Sequence, residues 1–212
     1  LLIYLFILYL MKTLGFILIV IIIIFFSWQL FISSGNKKFN QLKGSYIGEL
    51  QNVEFRRYKK YTKASIYISS NNMNSGNSKF SFLAKYIFGG NQENVQIGMT
   101  SPVIYSMNSK SSFSFIMPRQ FEDSLPLPSN KDIFFSKVEN QCVAVLSFGG
   151  FANQLKSERI KLQLQQKLKN LKINFSDEFI IAIYNPPYQF IKRKNEIWIE
   201  VNQEQLDKLL NF

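Results

Sequence analysis

No histidine occurs anywhere in the 212 residues. That absence excludes Ser-His-Asp and Cys-His nucleophilic catalysis, histidine-held zinc and a histidine ligand to haem iron. There is a single cysteine, Cys142, so an intramolecular disulfide framework is excluded as well. Cys142 opens a stretch whose alternation predicts a buried strand, which makes it an inert core thiol rather than a nucleophile. Acidic residues are scarce, 14 against 25 Lys and Arg, for a formal net charge of +11. The carboxylates show no close, paired spacing across a motif and no nucleophile has a neighbouring base, so no catalytic residue, no metal cluster and no enzyme activity is expected. The basic residues are scattered, without an Arg-rich stripe or a Gly-aromatic signature, which argues against nucleic acid. An anionic membrane surface or an acidic small ligand suits the excess charge better.

Charge is also missing from residues 14–32, LGFILIVIIIIFFSWQLFI. This stretch is long enough to cross a bilayer and has no polar face, so a core helix is disfavoured. The expectation is an uncleaved single-pass anchor contacting lipid through residues 14–32. The rival is a secretory signal peptide, with Met11-Lys12 as its n-region and Ser33-Ser34-Gly35 after the apolar run. Residues 1–10 are apolar too, and Met11 is read as the true start. Lys12 on one flank against Lys37, Lys38 and Lys43 on the other points the rest of the chain to the cytoplasmic side, or to a luminal or secreted location if the segment is cleaved. Residues 1–35 are thus the anchor or signal segment, residues 36–49 a linker, and residues 50–212 the folded domain.

Within that domain one order of elements occurs twice. Alternation predicts strands over 53–58 and 62–69, then a polar loop from Asn71 to Asn77. A helix follows, capped by Ser78, with Phe80, Leu83, Ala84, Ile87 and Phe88 on one face and Gly89-Gly90 as its stop. Strands over 97–107 and 111–117 complete the first half. The second half repeats this with strands over 133–139 and 142–148, a helix over 153–171, and two strands around Pro186-Pro187, the later one carrying Ile197, Ile199 and Val201. A short helix over 203–210 ends the chain. The fold class is α+β: two ββαββ repeats forming a distorted eight-stranded antiparallel barrel flanked by two helices, with an N-terminal transmembrane helix.

Several motifs in this order carry a resemblance. They are Arg57-Tyr58, Lys85-Tyr86-Ile87 with Gly89-Gly90-Asn91, Met99-Thr100-Ser101-Pro102-Val103, Phe148-Gly149-Gly150-Phe151-Ala152, Tyr184-Asn185-Pro186-Pro187 and Arg193-Lys194-Asn195-Glu196-Ile197-Trp198. Over residues 50–201 the chain resembles the SOUL family of haem-binding proteins. The resemblance implies a barrel of two homologous halves, haem or a related tetrapyrrole as ligand, and no enzyme activity. It also implies a haem surface between the first helix and the basic turn before the last strand, which singles out Lys79, Lys85, Phe88, Lys192 and Arg193. Without histidine, the ring is expected to be held by apolar contact and by pairing of its acidic groups with these cations. The alternative is a non-enzymatic interaction or structural subunit of a membrane complex that has lost haem binding. Glu196 is read as an ion-pair partner of Arg193 or a nearby Lys rather than as a catalytic acid.

Overall fold

In the computed structural model the described residues are 2–35, 40–69, 73–121 and 124–210. Asn71, Lys37, Lys38 and the first part of the expected linker lie outside them. The chain divides into two compact units, one combining the N-terminal helix with Pro186–Lys192 and the other holding the barrel.

The first unit is built on α1, Leu2–Gly35, which runs through Lys12 without a break. Over Leu2–Ile32 it is long and apolar enough to cross a membrane, and its apolar side chains are exposed. Gln29 is the exception, fully buried on an otherwise exposed helix. Its amide donates to the Tyr188 carbonyl at 3.1 Å and accepts from the Phe190 amide at 2.9 Å, while Phe25 and Phe190 bring their rings to 6.2 Å. A lone amide in an apolar helix thus clamps the backbone of a segment about 160 residues away, satisfying two groups that low dielectric makes costly to leave open. Gln29→Leu is expected to speed hydrogen exchange of the Phe190 amide by roughly tenfold or more, the scale of an orphaned buried group. Exchange mass spectrometry of the 186–192 peptide in micelles reads this; unchanged protection contradicts the clamp.

The second unit is a sheet closed on itself. Its strands are β1 (Asn40–Gln41), β2 (Ser45–Leu50), β3 (Val53–Tyr67), β4 (Thr100–Ser101), β5 (Val103–Met107), β6 (Ser112–Ile116), β7 (Ile133–Phe148), β8 (Phe175–Ile183) and β9 (Asn195–Val201). The barrel runs β3-β6-β5-β8-β9-β7 and closes by pairing β7 with β3, all antiparallel; β2 adds to the edge of β3, and β1 pairs parallel with β4. Helix α2 (Met73–Ile87) belongs to the first half, α3 (Gln154–Asn170) to the second, and α4 (Gln203–Leu209) follows β9.

All eight expected strand segments are present, but two pairs are continuous, which leaves six strands around the barrel. The long strands are not regular. In β3, Phe55, Ala64 and Ile66 join the core under the helices, whereas Tyr58 and Tyr61 both face the opposite cluster. Residues three apart share a face only if alternation slips, and the slip falls at Lys59-Lys60. In β7, Val138 and Val143 share the inner face in the same way, with Asn140 between them in the left-handed region at φ 50°. Since helices cannot fit inside six strands, the cluster of Tyr58, Tyr61, Ile104, Ile116, Val143, Val145, Ala182 and Trp198 is the barrel interior.

Two other expectations are corrected. Ser45–Leu50 is a strand, not linker. Helix α2 begins at Met73, so Ser78 lies inside it rather than capping it. Asn, Ser and Gly are weak helix formers, but Met73 is buried and takes a contact from the Ser157 hydroxyl of α3 at 3.8 Å, so packing overrides propensity. The stop is as read: Gly89 has φ 98° and the Gly90 amide donates to the Lys85 carbonyl at 2.8 Å. Asn153 caps α3, accepting from the Lys156 amide at 2.9 Å.

Candidate functional site

Among the described residues Glu196 is the one buried acid. Strand β9 turns Glu196 and Trp198 inward together, two residues apart, and Glu196 is fully buried. Its Oε2 accepts from Tyr184 Oη at 2.7 Å, Trp198 Nε1 at 2.7 Å and Arg56 Nη1 at 2.9 Å. Its Oε1 accepts from Arg56 Nη2 at 3.0 Å and Lys194 Nζ at 2.8 Å. Arg56 reaches Glu54 as well, at 2.5 and 2.7 Å. Burial by itself pushes the Glu196 carboxyl up, but the bonds from Arg56, Lys194 and Tyr184 outweigh it and hold the group down at about 2. Burial, reinforced by the Glu196 charge, lifts the Tyr184 phenol far above its ordinary range. With Ser147 Oγ also donating to Oε1 at 3.5 Å, six donor atoms meet the carboxylate and commit its lone pairs. It joins residues of separate strands, and the rings continue the same structure: Trp198 stacks on Tyr58 with centroids 5.0 Å apart, and Tyr58 meets Tyr61 edge-on at 5.8 Å. The expected Lys partner is found in Lys194; Arg56, 140 residues away, is the partner that sequence order conceals.

The surface of α2 is different. Its buried side is formed by Met73, Leu83, Tyr86 and Ile87, with Tyr86 donating from its hydroxyl to the Pro126 carbonyl at 3.0 Å. Phe80 and Phe88, expected on the apolar face, are 42% and 67% exposed, so this helix presents rings to solvent. Lys79, Phe82, Lys85 and Phe88 follow one another at i, i+3 spacing, which sets each beside the next along a winding stripe. Phe82 is exposed too, and Lys79 Nζ lies 5.2 Å from its ring centre. The structure therefore unites three of the expected residues, Lys79, Lys85 and Phe88, and adds Phe82, which the reading of one apolar face passed over.

Lys192 and Arg193 are placed otherwise. Lys192, in the left-handed region at φ 53°, closes the Pro186–Lys192 segment of the first unit. Arg193 is 8% exposed; its guanidinium lies 4.1 Å from the Phe151 ring centre and donates to the Asn185 carbonyl at 3.2 Å. Its pKa is lowered by burial. That contact ties the Gly149-Gly150-Phe151 turn to the start of β9, so Arg193 is committed to the fold before any ligand arrives.

The donors for a metal are equally constrained. Among the described residues no group of three or more Cys, Asp and Glu is placed to hold a metal ion. Burial pushes the Cys142 thiol up to about 11, with Arg57 opposing and Asp207 and Glu200 adding. Met99 is packed against the main core. The α2 stripe thus sets exposed rings beside cations.

The family model described as SOUL heme-binding protein matches residues 38–200. Heme-binding protein 1 of Sus scrofa is 29% identical over 123 residues, covering 54% of this chain and 65% of that protein. Heme-binding protein 1 of Mus musculus is 30% identical over 126 residues, covering 55% of this chain and 66% of that protein. The chain therefore spans slightly under two thirds of the length of these relatives. Among solved structures, the C-terminal domain of EcmrR superposes with a TM-score of 0.54 at 10% identity, covering 74% of this chain and 98% of that one, a likeness of fold alone.

Proposed function

The chain belongs to the SOUL haem-binding protein family, and on that premise we propose that its barrel domain carries a tetrapyrrole on the α2 stripe, next to a membrane and without histidine ligation. The observation that carries this reading is the run Lys79, Phe82, Lys85, Phe88, in which exposed rings alternate with cations. Exposed phenylalanines on a helix invite a flat apolar partner, and lysines beside them suit its carboxylates. Relatives named as heme-binding proteins support haem as that partner. Bound haem would supply its own iron chemistry. The chain's residues hold the ring and pair its acidic edge, so the protein acts as a carrier or buffer rather than an enzyme. Helix α1 anchors it as a single pass, with the barrel on the cytoplasmic side.

Because ring contact and ion pairing do the holding, the metal contributes little. Metal-free protoporphyrin IX is expected to bind the full chain in micelles within about threefold of haem, a difference no larger than one weak hydrogen bond, read by quenching of tryptophan fluorescence. A preference for haem of a hundredfold would show an iron ligand and contradict histidine-free holding by contact alone. Absence of binding by either would favour the interaction-subunit reading.

A further inference from the structure

The segment Pro186–Lys192 lies in the connection from β8 to β9, and its polarity is the reverse of a connection that runs through water. It reads Pro-Pro-Tyr-Gln-Phe-Ile-Lys, with no charge before Lys192. Tyr188 and Phe190 are exposed, whereas Gln189 between them is buried. Gln189 donates from Nε2 to the Ile191 carbonyl at 2.8 Å and from its backbone amide to the Pro186 carbonyl at 3.2 Å. Gln29 of α1 serves the Tyr188 carbonyl and the Phe190 amide. The two prolines have no N–H to satisfy. A surface loop normally leaves its backbone groups to water and its apolar side chains inside. This one turns its amide group inward, serves backbone groups from within its own unit and leaves its rings outside. Lipid imposes that arrangement, because it offers the backbone no partners.

What the segment lies against names the same partner. From Thr13 to Gly35 α1 carries no charge, and Phe25, Trp28 and Phe31 near its end are exposed. The Phe25 ring is 6.2 Å from Phe190 and 6.4 Å from Trp28, so helix and segment share one apolar surface. Gln29 stands three residues before Ile32, where the apolar run 14–32 ends, a rise of about 4.5 Å. Elements lying in a bilayer interface sink about 5–10 Å below the headgroups, and Trp and Tyr concentrate at that level. The Gln29 clamp holds Tyr188 and Phe190 beside the part of α1 that would occupy it.

Resting on the reading of α1 as a single-pass anchor, we propose that Pro186–Lys192 is a second membrane contact, a loop seated in the bilayer interface with Tyr188 and Phe190 against lipid and Lys192 among the phosphates. Lys192 is exposed, and this assigns it to the bilayer rather than to the tetrapyrrole.

The single cysteine, Cys142, is buried, so a nitroxide label on Tyr188→Cys, Phe190→Cys or Ile21→Cys of the full chain reports its own position. All three labels replace exposed side chains, and near-ultraviolet circular dichroism checks the fold. In nanodiscs of phosphatidylcholine and phosphatidylglycerol, electron paramagnetic resonance compares collisions with oxygen, which concentrates in lipid, and with a nickel chelate, which stays in water. The collision ratio is expected to shift in favour of oxygen at positions 188 and 190, as at position 21 in α1. Preference for nickel at either 188 or 190, with oxygen still preferred at 21, overturns the proposal and leaves the anchor standing. Preference for nickel at all three overturns both. Shielding from both reagents at 188 and 190 also overturns it, because protein rather than lipid would then cover the rings.

Discussion

Glu196→Ala is expected to destabilise the barrel by about 3–5 kcal/mol, the cost of removing one partner from a buried charge pair. The pair as a whole need not be a large net stabiliser, since burying both charges is itself costly. Removing the acid alone is different. It deprives Arg56, Lys194, Tyr184 and Trp198 of an acceptor at once, and only Arg56 has a second carboxylate, Glu54, to turn to. For a domain of this size such a loss lowers Tm by roughly 6–20 °C. Glu196→Gln retains shape and one acceptor and should cost less. Chemical denaturation of the full chain in micelles, followed by near-ultraviolet circular dichroism, reads both; a loss below about 1 kcal/mol for the alanine variant would contradict the assignment.

The same group sets an acid limit. Its pKa is about 2 in the folded chain against an ordinary 4.5, so its stabilisation is fully present above pH 4.5 and is lost as pH falls through about 2. Stability of the native chain should decline across that window, and Glu196→Gln should flatten this part of the curve. Identical acid profiles would show that the carboxylate is not held as its hydrogen bonds indicate.

The second large effect concerns the ligand. Phe82→Ser combined with Phe88→Ser is expected to weaken haem binding by about 2–3 kcal/mol, or roughly thirty- to a hundred-and-fiftyfold, from the apolar contact that two rings provide. Both side chains are exposed, 42% and 67%, so stability should change little. Lys85→Glu added to this pair should weaken binding further by repelling the ring's acidic edge. Unchanged haem affinity in a stable double variant would remove α2 from the site.

Much of the architecture was legible because alternation and turn residues are local signals. Pro186-Pro187 and Gly89-Gly90 end their elements where chain chemistry requires, and the eight strand segments follow from period two. Their fusion into six strands was not legible, since Lys59-Lys60 and Asn140 look like breaks and act as slips within continuous strands. Met73 shows the same limit: it is buried against Ser157 of another helix, a contact that sequence order conceals. At the candidate site, Lys79, Lys85 and Phe88 could be named from resemblance, whereas Phe82 required knowing which side of α2 is buried. Arg193 looked like a surface cation in a basic run, yet the Phe151 ring claims it. Gln29 carried a signal that went unused, an amide within an apolar helix, and its partner segment could not be read from sequence distance.

The central claim is that the chain binds a tetrapyrrole through α2 without histidine. The most direct measurement is a haem titration of the full chain in detergent micelles, monitored in the Soret band. The expected result is a saturable shift at one haem per chain, with dissociation in the micromolar range that corresponds to roughly 8 kcal/mol. No shift beyond that of haem in empty micelles would contradict it.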